Sequence, residues 1–125
     1  MKTSVNSGDA PKVIGPYSQA IISGNFIITS GQIHVTKEGT LLEGSIEDQT
    51  QQVMKNLAAV LEAAGVDFSS VVKTTIYVTD MSTYSSVNTV YASYFTEPFP
   101  ARETVCVKEL PAGAKVEISL VASKQ

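Results

Sequence analysis

Between Ser45 and Gly65 apolar side chains recur at Ile46, Val53, Leu57, Val60, Leu61 and Ala64, one stripe at helical spacing. Ser45 offers a hydroxyl N-cap ahead of Glu47 and Asp48, where the helix dipole favours negative charge, and Gly65 suits the residue just past the helix end. A helix with a single apolar stripe needs a surface to lie on, and the flanking segments supply strands. Val71 to Thr79 alternates, with Val72, Thr74, Ile76 and Val78 on one face and Lys73, Thr75, Tyr77 and Thr79 on the other. Gln19 to Ile22 and Phe26 to Ser30 flank Ser23-Gly24-Asn25 as a β-hairpin. A short strand at Lys2 to Val5 precedes them, and Gly31 ends the hairpin before a polar loop to Gly44. Asp80 or Ser82 caps a second helix running to about Phe95, with Tyr84, Val87, Val90, Tyr91 and Tyr94 on its inner face. Glu97-Pro98-Phe99-Pro100 breaks it. Two more strands follow, the second with Val116, Ile118, Leu120 and Ala122 on one face.

The order ββ-α-β-α-ββ predicts one α+β domain over residues 1–125, with both helices on one sheet face. The other face, holding Tyr77 and Val121, is left uncovered by the chain itself, as an oligomer interface would be. A composition that is 43% hydrophobic and only 17% charged fits a surface partly covered by another subunit.

The last two strands carry the chemistry. Arg102 lies two residues after Pro100, near the start of an apolar run, and Glu117 stands between Val116 and Ile118. If Leu110-Pro111-Ala112-Gly113 closes a tight hairpin, Cys106 falls opposite Glu117, and Arg102, Thr104, Cys106, Glu117 and Ser119 share one face. A cationic fork and a carboxylate on an apolar face are the parts needed to hold and attack a small carboxylic acid; the plainer reading is a cross-strand ion pair.

Other chemistries find little support. Nine Lys and Arg against twelve Asp and Glu give a net charge of -3, with no basic cluster for a nucleic acid. His34, the one histidine, reads as a surface loop residue without a second ligand at metal spacing. Cys106 reads as a buried, inert thiol among valines. There is no Gly-x-Ser-x-Gly elbow, phosphate loop or dinucleotide fingerprint. Tyr84, Tyr91 and Tyr94 read as core, whereas Tyr17, in a loop beside Gly15-Pro16, is a candidate site wall. Apolar runs are too short to span a membrane, and no apolar block follows Met1-Lys2-Thr3-Ser4, so a cytoplasmic protein is expected.

Ile14-Gly15-Pro16-Tyr17-Ser18-Gln19, Thr29-Ser30-Gly31-Gln32-Ile33, Gln52 through Asn56-Leu57, Val72-Lys73-Thr74-Thr75, Val87-Asn88 with Tyr91, Pro100-Ala101-Arg102, Leu110-Pro111 and Val116-Glu117-Ile118 follow in order. Together, from about Ala10 to Ala122, they resemble the RidA/YjgF family of enamine/imine deaminases. The resemblance implies a chorismate-mutase-like fold and a homotrimer with clefts between subunits. It implies cofactor-free hydrolysis of 2-aminoacrylate and 2-aminocrotonate, through 2-iminopropanoate and 2-iminobutanoate, to 2-oxo acids and ammonia, while the lone His34 gives no reason to expect a metal. Arg102 would clamp the substrate carboxylate, and Glu117 would orient and help deprotonate the attacking water. Backbone groups at Gly31 and Thr104 would fix the ligand, beside Ser30, with Tyr17 and Asn88 lining the cleft. Many members carry Cys where this chain has Thr104, which is expected to alter reactivity toward modifying agents more than hydrolysis. The alternative is a non-catalytic module that binds small carboxylates in the same cleft and regulates a partner; Glu117, which a binder does not need, separates the two. A ribonuclease is disfavoured by the acidic charge and the lack of a histidine pair.

Overall fold

A computed structural model describes residues 1–124, so the last residue of the expected domain lies outside the described residues. The strands are β1 (Lys2–Val5), β2 (Ala20–Ser23), β3 (Phe26–Thr29), β4 (Gln32–Ile33), β5 (Val71–Val78), β6 (Ala101–Cys106) and β7 (Val116–Ser123). The helices are α1 (Ile46–Ala63), between β4 and β5, and α2 (Tyr84–Ala92), between β5 and β6. The sheet runs β1-β2-β3-β7-β5-β6, with β4 also paired to β7; among the described residues only β5 and β6 pair in parallel. The architecture is α+β, and no helix among the described residues is long and apolar enough to cross a membrane.

Both helix starts follow from local chemistry. Ser45 Oγ accepts from Asp48 N at 3.0 Å, and the chain leaves α1 through Gly65 at φ +84°, a conformation that costs glycine little. Neither Asp80 nor Ser82 caps α2 itself, whose N-cap is Thr83 without a side-chain cap bond; Asp80 caps the 3-10 turn Met81–Thr83 that leads into the helix. The helix itself ends at Ala92, short of Phe95. Gly24, at φ +58°, makes the expected β2–β3 turn, whose strands pair Ser23 with Phe26.

α1 buries Val53, Met54, Leu57, Val60 and Leu61 against the sheet face carrying Ile27, Ile76, Val78, Val116, Ile118 and Leu120, and α2 adds Val87 and Tyr91. That side buries the expected β7 stripe. The opposite face is open and apolar: Phe26 is 50% exposed, Ile28 47%, and Val121 and Tyr77 are half-buried.

The strand pairing departs from the expected one. β6 and β7 form no hairpin; β5 lies between them, parallel to β6 and antiparallel to β7. A tight turn joins only adjacent strands about 4.8 Å apart, whereas residues 107–115 cross the width of a strand, through a 3-10 turn with Ala112 at φ 59°. The bridge partners show the consequence. Arg102 pairs with Thr74, Thr104 with Ile76 and Cys106 with Val78, on the helix side. Glu117 pairs with Tyr77 and Ser119 with Thr75, on the open side. The five residues therefore do not share a face.

At the start of β5 a bulge between Val71 and Lys73 shifts the alternation. Val71 is buried and Val72 exposed, the reverse of the uninterrupted pattern. β4 is a strand where a loop was expected. His34 is not at the surface: it is 1% exposed, with Nδ1 2.9 Å from Leu42 O and Nε2 accepting from Lys115 N at 2.9 Å. Asn56 on α1 donates to the carbonyls of Ile33 and Val35, closing the same loop onto the core. Cys106 is exposed rather than buried, because it ends β6 at the sheet edge.

Candidate functional site

Arg102 is the only arginine in the chain. Strand alternation turns it toward α2, where Tyr84, Asn88 and Tyr91 stand at i, i+4 and i+7 on one helix face. Its Nη1 donates to Asn88 Oδ1 and its Nη2 to the Tyr84 hydroxyl, each at 2.6 Å. The guanidinium carbon lies 5.0 Å from the centre of the Tyr91 ring and 5.6 Å from that of Tyr84, within cation–π range. Tyr91 is itself fixed, its hydroxyl 2.8 Å from Thr74 Oγ1. Burial pushes the Tyr91 hydroxyl up, against smaller opposing effects of Thr74 and Arg102, so it stays neutral.

Every group that holds Arg102 is thus neutral. The ion pairs among the described residues, Lys37–Asp9 and Lys73–Glu103, leave it out. A half-buried guanidinium held by an amide, a hydroxyl and two ring faces has no counter-ion among the described residues, and three of its five N–H donors remain for an anion. Thr104 lines the same narrow crevice, with Ile76, Val78, Tyr84, Val87 and Asn88, and its buried Oγ1 has no hydrogen-bond partner among the described residues.

Glu117 belongs to a second cluster, on the open face. Its carboxylate lies directly on Gly31: a Cβ there would stand 2.1 Å from Oε2 and 2.7 Å from the carboxyl carbon. Only glycine allows that approach. Partial burial pushes the Glu117 carboxyl above its ordinary value. Next to Gly31, Ser30 donates from Oγ to Ser18 O at 2.6 Å and from its backbone to Gln19 O at 2.9 Å. These bonds pin the loop that carries Tyr17, whose ring is 52% exposed and turned back over Gly15. The Ser30 hydroxyl is engaged in holding that loop.

The structure therefore brings Arg102, Asn88 and Thr104 together, and separately Glu117, Gly31 and the Ser30-anchored loop of Tyr17. It does not bring the two groups together within one chain. Their helical spacing alone predicts Tyr84 and Tyr91 as core. Tyr91 is core and also a floor for Arg102, but Tyr84 is 36% exposed and faces the arginine. The signal that would have found them was the i, i+4, i+7 stripe shared with Asn88, set against a lone arginine.

A family profile described as Endoribonuclease L-PSP matches residues 7–124. A RutC family protein of Pyrococcus horikoshii is 47% identical over 126 residues, covering all of both chains. The human protein named 2-iminobutanoate/2-iminopropanoate deaminase is 41% identical over 119 residues, covering 94% of this chain and 87% of its own. Among solved structures, a Rid-family protein of Yersinia pestis superposes with a TM-score of 0.96 at 47% identity, covering 98% of this chain and 99% of that one.

Proposed function

Since the chain belongs to the RidA/YjgF family, we propose that it is a cofactor-free hydrolytic deaminase of 2-imino acids. The substrate class is 2-iminopropanoate and 2-iminobutanoate, with their enamine forms 2-aminoacrylate and 2-aminocrotonate. The observation that carries this reading is the uncompensated charge of Arg102, a preorganised seat for a small carboxylate. Water adds to the protonated imine carbon, the carbinolamine collapses, and the products are a 2-oxo acid and ammonium. Glu117 orients that water and takes its proton; a desolvated carboxylate is a stronger base than one in water, which supports the role. The desolvated glutamate also favours catalysis over a module that only binds carboxylates.

Arg102 and Glu117 lie on opposite faces of one sheet, so one chain cannot apply both to the same substrate. The reading therefore includes a homotrimer whose clefts pair the Arg102 cluster of one subunit with the Glu117 cluster of its neighbour. The open face of Phe26, Ile28 and Val121 supports association. RNA cleavage, suggested by the profile's description, is disfavoured by the net charge of -3 and by a buried His34 with both ring nitrogens engaged.

The test couples a serine dehydratase, which releases 2-aminoacrylate, to this protein and follows the decay of the intermediate to pyruvate. Wild type accelerates the decay, and Arg102→Ala, folded as judged by circular dichroism, does not. Full activity in that variant overturns the carboxylate seat.

A further inference from the structure

We infer that Tyr84 is a positioning residue for Arg102: its hydroxyl fixes the guanidinium in the orientation that receives a carboxylate, without neutralising it. The inference rests on the reading of Arg102 as the carboxylate seat and goes beyond it in naming what sets the seat's affinity.

An arginine at a sheet edge has a long, freely rotating side chain. Here three contacts fix it. Tyr91, 5.0 Å away and anchored to Thr74, sets the plane of the guanidinium from below. Asn88 Oδ1 holds Nη1 at 2.6 Å. One in-plane hydrogen bond still lets the group swing about that point. The Tyr84 hydroxyl, holding Nη2 at 2.6 Å, is the second in-plane contact and stops the swing. The geometry of α2 makes this available, since Tyr84 and Asn88 are one helical turn apart and reach the two ends of the fork together.

The chemistry of the phenol matters as much as its place. Arginine has no acceptor, so Nη2 donates and the tyrosine oxygen accepts. A carboxylate in that position would fix the fork equally well but would form an ion pair and compete with the substrate. Tyr84 is the uncharged solution, and at 36% exposure it stands where the crevice meets solvent.

The experiment compares Tyr84→Phe, Tyr84→Glu and Arg102→Ala, alone and with Tyr84→Phe added to Arg102→Ala. The readouts are steady-state kinetics on 2-iminobutanoate generated by a threonine dehydratase, calorimetric titration with 2-oxobutanoate, and thermal melting. Tyr84→Phe keeps the ring and loses one hydrogen bond. It should raise KM and weaken 2-oxobutanoate binding by roughly three- to tenfold, with kcat and Tm unchanged. Tyr84→Glu should weaken binding further through direct competition. On the Arg102→Ala background, where turnover is lost, Tyr84→Phe should leave the residual 2-oxobutanoate affinity and Tm where they are, because the hydroxyl acts only through the arginine. Unchanged KM and binding in Tyr84→Phe overturn the inference, as does a fall in kcat together with Tm, which marks a structural role. An equal effect with or without Arg102 overturns it too. If Arg102→Ala itself keeps activity and 2-oxobutanoate affinity, the failure belongs to the carboxylate seat and takes the Tyr84 role with it.

Discussion

At the scale of single residues, Glu117 and Thr104 each carry a group that burial penalises, so replacing either should stabilise the fold, whereas only the loss of Glu117 should end turnover. Glu117 is partly desolvated, so in the range between its ordinary and its raised value the folded chain binds a proton that the unfolded chain does not. Its ionised form therefore costs stability at neutral pH, and the cost disappears as the pH falls through that range. Glu117→Gln should melt higher than wild type at pH 7, with the gap closing below about pH 4, while hydrolysis is lost at every pH. Wild-type kcat/KM should fall on the acid side with an apparent pKa above that of an ordinary glutamate. Thr104 carries a hydroxyl with no partner among the described residues. Thr104→Val removes that penalty and should raise the free energy of unfolding by about 1 kcal/mol, read from urea titration. Turnover should be unaffected if only the backbone of residue 104 meets the ligand; loss of activity in a folded variant would assign the hydroxyl to it.

At the scale of elements, His34 ties the loop after β4 to the residue that precedes β7. Lys115 N–H donates to Nε2, so Nε2 is bare and Nδ1 carries the proton given to Leu42 O. Burial lowers its pKa, against weaker opposing effects of the Leu42 carbonyl and Glu43 and with a small addition from Lys115, and protonation would set two donors face to face. A lowered histidine pKa means the unfolded chain takes up the proton first. The stability this staple provides is complete above about pH 6.5 and declines as the pH drops toward the lowered value. The difference in unfolding free energy between wild type and His34→Gln should accordingly shrink from pH 7.5 to pH 5.5; a constant difference would mean the ring does not titrate in that range.

At the scale of the whole molecule, the decisive fact is that Arg102 and Glu117 face opposite sides of the sheet. If the working cleft lies between subunits, two dead variants should repair each other. Arg102→Ala and Glu117→Gln, unfolded together and reassembled, give mixed trimers in which random pairing restores about a quarter of the clefts. Activity near that fraction, from parents that have none, is the expected result. A mixture as inactive as its parents would show that the two residues do not meet across an interface.

What the sequence determined by itself was local. The caps of α1, the glycine turn after β2 and the alternation of β7 are set by neighbours in the chain, so they were legible from neighbours. The order of short motifs names the candidate site residues as a set. How they are arranged was not legible there. The parallel pairing of β6 with β5, the bulge that exchanges Val71 for Val72, and the burial of His34 depend on contacts between residues far apart in sequence. Strand register changes faces at every residue, so one wrong neighbour put Arg102 and Glu117 on a common face. Only the tertiary structure, by inserting β5 between them, separated the two charges and made a second chain necessary to the proposed chemistry.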